Sequence, residues 1–228
     1  MSELNESRFE MYTLVHKGLR AFMADVLVSV GRLDGDDDAH VAETLAKVRQ
    51  LVEICRDHLF HENNFLHTAM NARRPGSASA ATNQHVGQEE TFDELQGLVL
   101  AVERTGGRDR SRTILKLYRS LALFVAHNFD HMELEESDNQ ATLWDAYSDE
   151  ELLGIHKLLL ADVAPQRMQV YLRWILPNAN HSERLGILSE LQFAIPENPF
   201  QAILDMVRHY ISEKEWSKLE AALAAVAA

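Results

Sequence analysis

RDHLFHENNFLH, residues 56–67, sits at the end of a stretch with one regular apolar stripe: Val41, Leu45, Val48, Leu51, Cys55. That recurrence is the pattern of an amphipathic helix. The next inward positions are His58 and Glu62, with Phe65 after them. A helix that places an imidazole and a carboxylate where core residues belong must offset the cost of burying them, and a bound cation does so.

The same pattern occurs three more times. A first helix, about Glu6 to Leu33, carries His16, Leu19, Met23, Val26, Val30 and Leu33 on one stripe. The second covers about Ala39 to Ala72. A third, about Gln84 to Thr105, carries His85, Phe92, Leu95, Val99 and Val102, with Glu89 one turn after His85. A fourth, about Arg110 to Ser137, carries Ile114, Leu117, Leu121, Phe124, Asn128, His131 and Glu135, with Asp109 as its expected N-cap. The breaks between them are DGDDD, ARRPGSASAATN and GGRD, all turn-forming compositions. Short connections make neighbouring helices antiparallel. The polar residues precede the stripe in helices one and three and follow it in two and four, so all seven fall at one end of an up-down-up-down four-helix bundle. His16 to Leu33, Val41 to His58, His85 to Val102 and Ile114 to His131 are each 17 positions apart, which is roughly 25 Å of apolar core under a shared polar layer.

His and Glu at i, i+4 lie one turn apart on one face. Imidazole nitrogen with carboxylate oxygen suits iron, manganese or zinc. His16, His58, Glu62, His85, Glu89, His131 and Glu135 are too many donors for one ion and about right for two ions bridged by Glu62 and Glu135.

At these residues the chain resembles the hemerythrin-like (HHE cation-binding) family: a lone His16, then His58-Leu-Phe-His-Glu62, then His85, then His131-Met-Glu-Leu-Glu135. The resemblance covers about residues 10–140. It implies two non-haem iron ions, oxo- or hydroxo-bridged, with an open position for O2, NO or peroxide, in proteins that carry or sense oxygen, handle iron or act as oxidases. Oxygen-carrying members place a second His on helix three; here the turn before His85 holds Ala81 and the turn after holds Glu89. With Glu89 as seventh ligand, the extra carboxylate favours the ferric state and argues against simple reversible carriage. His61 and His127 are the alternatives for that place. His40, His67, His156, His181 and His209 are expected to be structural or solvated, Tyr12 to pack one turn before His16, and Phe65 and Phe92 to wall the pocket.

Other features narrow the class. The formal charge of −13 argues against nucleic acid and anionic membranes as partners. Cys55 is the only cysteine, which removes intramolecular disulfides and thiolate clusters. No run approaches the ~18 apolar residues of a membrane span, and MSELNESRFEMYTLV has no signal-peptide pattern; a cytoplasmic protein is expected. Residues 148–228 form a separate extension of four or five shorter helices. Their starts are marked by Ser148/Glu151, Asn180/Glu183 and Ser212/Glu215, all capping boxes, and by Asn198 before Pro199. The extension is expected to pack on the 1–140 bundle or to form a homodimer interface. The leading function is binding of O2 or a related small ligand for sensing, storage or detoxification; the rival is a di-iron oxidase or oxygenase with an organic substrate.

Overall fold

The computed structural model describes residues 8–226, and among these every regular element is helical. Nine continuous helices follow one another. α1 is Thr13–Gly31. α2 joins Asp38–His61, a π-helical turn Glu62–His67 and Thr68–Arg73. α3 is Ser79–Arg104. α4 joins Gly107–Leu134, a π-helical turn Glu135–Asn139 and Gln140–Ala146. The remaining five are α5 (Asp149–Asp162), α6 (Pro165–Asn178), α7 (His181–Ala194), α8 (Glu197–Tyr210) and α9 (Glu213–Val226). No helix among the described residues is long and apolar enough to cross a membrane.

The long helices start and end for local reasons. Asp37 accepts from the backbone N–H of Ala39 and His40 and caps α2. Arg110 ties the α1–α2 connection to α4 through the Gly35 carbonyl (2.9 Å) and Asp38 (2.6 Å). α1 starts at Thr13, later than the expected boundary at about Glu6, which itself lies outside the described residues. α4 begins at Gly107, so Asp109 stands in its first turn rather than at the cap. Ser148, Asn180 and Ser212 form their expected boxes. Asn198 does not cap α8: the helix already starts at Glu197, and Pro199 sits in the first turn, where the missing N–H has no intrahelical partner to lose.

α1 packs on α2 and α4, and α3 packs on the same two, closing a ring with α2 and α4 on opposite corners. Its interior is Leu19, Met23, Val26, Leu45, Val48, Leu51, Leu95, Val99, Leu117 and Leu121, with Phe92 edge-to-face on Phe124 at 5.7 Å. Each such side chain contributes about 1.5–3 kcal/mol by leaving water. A second, smaller core of Met11, Tyr12, Leu66, Met70, Leu143 and Leu152 lies beyond the opposite side of the His/Glu positions. The polar layer is therefore held between two apolar clusters.

The extension packs on the ring and on itself. α6 lies along α1, with Trp174 stacked on Phe22 at 4.4 Å. α6 to α9 share a core of Leu176, Leu188, Phe200, Val207, Trp216 and Leu219. Buried Arg184 donates to the carbonyls of Leu176 (2.7 Å), Pro177 (3.1 Å) and Ala179 (2.9 Å), satisfying the end of α6.

The close approach of α6 to α1 depends on Gly18. A Cβ there would stand 2.8 Å from Ile175 Cγ1 and 3.0 Å from its backbone nitrogen, whereas one at exposed Gly97 in α3 meets nothing within 4 Å. Gly97→Ala should stabilise the fold by about 0.5–1 kcal/mol through helix propensity. Gly18→Ala should reverse the sign, costing on the order of 1–3 kcal/mol through overpacking. Urea denaturation of the two variants measures the contrast; equal stabilisation by both would contradict this packing.

Candidate metal centre

Six of the seven expected ligands converge. His16 comes from α1, His58 and Glu62 from α2, His85 from α3, and His131 and Glu135 from α4; all are buried. Their donor atoms form two groups able to hold a metal ion, His16/His58/Glu62/Glu135 and Glu62/His85/His131/Glu135. The two carboxylates belong to both groups.

The distances describe a cage around cations. His16 Nε2 and His58 Nε2 are 3.2 Å apart, and His85 Nε2 and His131 Nε2 are 3.0 Å apart. Two donors about 2.1 Å from one ion and at right angles stand about 3.0 Å from each other. Glu62 Oε1 lies 3.0 Å from His58 Nε2 and 3.7 Å from His16 Nε2, while its Oε2 lies 3.6 Å from His85 Nε2. Glu135 Oε2 lies 3.3 Å from His131 Nε2 and 3.5 Å from His16 Nε2, and its Oε1 lies 3.7 Å from His85 Nε2. Glu62 thus presents one oxygen towards each side, and Glu135 reaches both sides through Oε2, which lies between His16 and His131.

The outer nitrogens settle the tautomers. His16 Nδ1 is 2.9 Å from Glu136 Oε1, His85 Nδ1 is 3.0 Å from Asn63 Oδ1, and His131 Nδ1 is 2.6 Å from Gln84 Oε1. An Nδ1–H that donates to an oxygen leaves Nε2 of a neutral ring as a bare lone pair. His85 and His131 therefore turn two lone pairs on each other at 3.0 Å, an arrangement that asks for a cation between them. Burial and the neighbouring imidazoles lower His85 to about 3, despite Glu62. Burial likewise lowers His131 to about 4. His16 goes the other way: burial disfavours its charge, but Glu136 and Glu62 outweigh it and raise the pKa.

The carboxylates are buried with little to compensate them. None of the four oxygens of Glu62 and Glu135 has a hydrogen-bond partner. Burial and then the facing charge of Glu62 raise Glu135 well above the usual carboxylate range. Burial also opposes ionisation of Glu62, but His58, His16 and His85 together hold it low. Glu136, on the outer side of His16, pairs with Arg20 at 2.6 Å; against a desolvation cost, His16 and Arg20 lower it to about 2.

Glu89 is not in the cluster. Its side chain is 54% exposed and pairs with Arg56 Nε at 3.1 Å. In α2 and α4 the residue four after the His turns inward; in α3 the inward residue is Gln88, three after His85, and Glu89 is rotated towards α2. His61 and His127 do not take the place either. His61 contacts the Asp57 carbonyl at 2.6 Å and Asp162 at 3.5 Å, facing α5, and His127 is exposed. Phe65 is half-buried against His61, and Phe92 belongs to the core.

A further histidine stands beside the cage instead. His67 is buried, its ring stacks on His85 with centroids 4.9 Å apart, and its Nε2 is 4.0 Å from Glu135 Oε1. In a regular helix a residue five after Glu62 lies well off the inward face; the π-helical turn Glu62–His67 brings it back. Nothing in the residue pattern announces that turn. Tyr12 packs as expected, fully buried, with its hydroxyl lacking a partner; burial, Glu135 and Glu62 raise its pKa well above that of a free phenol, so it stays protonated.

No family model, no curated protein and no solved structure matches the chain. The assignment of the site therefore rests on its geometry.

Metal should stabilise this protein and Glu135 should be the reason. A divalent ion at 100 times its Kd should add about 2.7 kcal/mol to wild-type stability. In Glu135→Gln most of that gain should vanish, while metal-free stability should not fall, because one of two facing carboxylates is gone. Thermal unfolding of chelator-treated protein with and without Zn2+ measures both. No gain in wild type, or a metal-free Glu135→Gln protein that is much less stable, would contradict the assignment.

Proposed function

We propose that the ring of α1 to α4 is a hemerythrin-like up-down-up-down bundle that holds two non-haem iron ions and binds O2, or NO or peroxide in its place, for sensing, storage or detoxification. The observation that carries this reading is the pair of imidazole sets, His16/His58 and His85/His131, facing across two buried carboxylates with no other partner. Four imidazoles and two carboxylates form a mixed nitrogen and oxygen donor set suited to iron, with no thiolate to draw in softer ions. Glu62 and Glu135 would bridge the two ions, and the bound irons would supply electrons to the ligand.

The surroundings support a small ligand. The second apolar core covers one side of the site. The Tyr12 hydroxyl and the Asn139 amide are buried side by side, and Tyr12 lies within reach of the charges of both bridging carboxylates. Donors in that position would hydrogen-bond an oxygen ligand as it gains charge. With Glu89 turned outward, the extra carboxylate that argued against reversible carriage is absent. A reducing compartment such as the cytoplasm would keep the ions ferrous and ready.

The oxidase reading has one observation in its favour. A groove of about 600 Å³ opens between α2 and α3, lined by His67 and His85 together with Asn63, Asn71 and Thr82. It is large enough for an organic molecule. The two readings separate optically. Iron-loaded protein is reduced without air and O2 is then admitted. A visible band that appears with O2 and vanishes on its removal is the expected result. Irreversible oxidation on first contact, accelerated by an added organic substrate, would overturn the binding reading in favour of the oxidase. Iron below two equivalents per chain would overturn both.

A further inference from the structure

We propose that the outward face of α4 joins two copies of this chain, helix against helix and antiparallel, about a two-fold axis between Phe124 and Val125. The contact is independent of the metal centre.

The inner face of α4 is taken up by the core and the cage: Leu117, Leu121, Phe124, Asn128, His131 and Glu135 are buried. The outer face carries an unpartnered apolar stripe. Leu123 is 62% exposed and Leu115 48%, and Tyr118 and Phe129 are exposed as well. Ala122 and Ala126 lie between them, small enough to let a second helix approach closely. The extension packs elsewhere, with α6 along α1 and α2.

The charges on this face say what covers it. Arg108, Arg110, Arg112, Lys116 and Arg119 follow one another in the first half of α4, in a chain whose formal charge is −13, whereas from Asp130 to Asp138 there is no Lys or Arg. Arg110 is held inside the chain by Gly35 and Asp38, and Arg112 reaches Asp109 at 3.3 Å. Lys116, Arg119, Asp130 and Glu133 are exposed and have no ion pair among the described residues. Cations at the start of a helix run against its dipole, so this order does not stabilise the isolated helix. Two copies laid antiparallel set the basic half of each on the acidic half of the other. The midpoint of Arg119 and Asp130 is also the midpoint of Lys116 and Glu133, so one axis brings both pairs opposite each other, and each occurs twice. The same axis sets Leu123 against Ala126. A strongly acidic chain repels its own copy over most of its surface; on this face the repulsion reverses. A basic partner would meet Lys116 and Arg119 with like charge, and an acidic one Asp130 and Glu133, so the face complements a second copy better than either.

Sedimentation equilibrium of the full chain tests this with Arg119→Glu and Asp130→Arg. Wild type should sediment as a dimer that loosens as salt rises. Each variant alone sets like charges opposite each other twice and should raise the dimer Kd by on the order of 100-fold. Mixed in equal amounts, the two variants regain attractive pairs at both places, and a heterodimer should form with near wild-type affinity. The two positions are roughly 16 Å apart along one helix, so the recovery cannot come from a pair within one chain. Ala126→Cys gives an independent reading: Cys55 is buried, so the new thiols should cross-link two chains on mild oxidation. A monomeric wild type would overturn the proposal and leave the face to a different partner. A dimer indifferent to both charge variants, a mixture that stays monomeric, or an Ala126→Cys protein that does not cross-link would overturn it as well, by placing any contact elsewhere.

Discussion

Two carboxylates, Glu62 and Glu135, are buried at the centre of four helices with no hydrogen bond to any of their oxygens. Holding an uncompensated charge there costs several kcal/mol even after relaxation. Burial and the facing Glu62 raise the pKa of Glu135, and a proton there relieves part of that cost. It does not relieve the imidazole lone pairs that face each other around them. Two cations would satisfy both sets of groups at once, one in each cluster of donors.

The helices supply this arrangement in layers. The apolar stripes set the depth at which each polar residue leaves the core, so residues from 16 to 135 meet in one plane. Outside that plane Glu136, Asn63 and Gln84 fix the orientation of the rings. Beyond them, Met11, Leu66, Met70, Leu143 and Leu152 close the site from above. The extension reinforces the helix that brings His16: Ile175 packs on Gly18, and Glu183 pairs with Lys17 at 2.6 Å. These contacts flank His16 in sequence, so its position is tied to the fold of residues well outside the ring.

Much of this was legible in the residues because it depends on regular helical spacing. Two HxxxE pairs on apolar stripes, and four stripes of one length, suffice to bring His16, His58, Glu62, His85, His131 and Glu135 together. The rest depends on a rotation that spacing alone does not reveal. Glu89 repeats the four-residue step of His58/Glu62 and His131/Glu135, but α3 turns its third residue inward and gives Glu89 to Arg56. His67, expected to be structural or solvated, is buried beside the cluster, where the π-helical turn that places it breaks the periodicity on which such reading depends. The cap at Asn198 failed for a smaller reason: a proline in the first turn is tolerated beyond the first helical position.

The central claim is that two metal ions lie between Glu62 and Glu135. Crystals of the protein, grown after loading with Fe2+ and measured just above the iron absorption edge, test it directly. Two anomalous peaks on the order of 3.5 Å apart, one beside His16 and His58 and the other beside His85 and His131, are the expected result. A single peak, or iron bound only outside this cage, would contradict it.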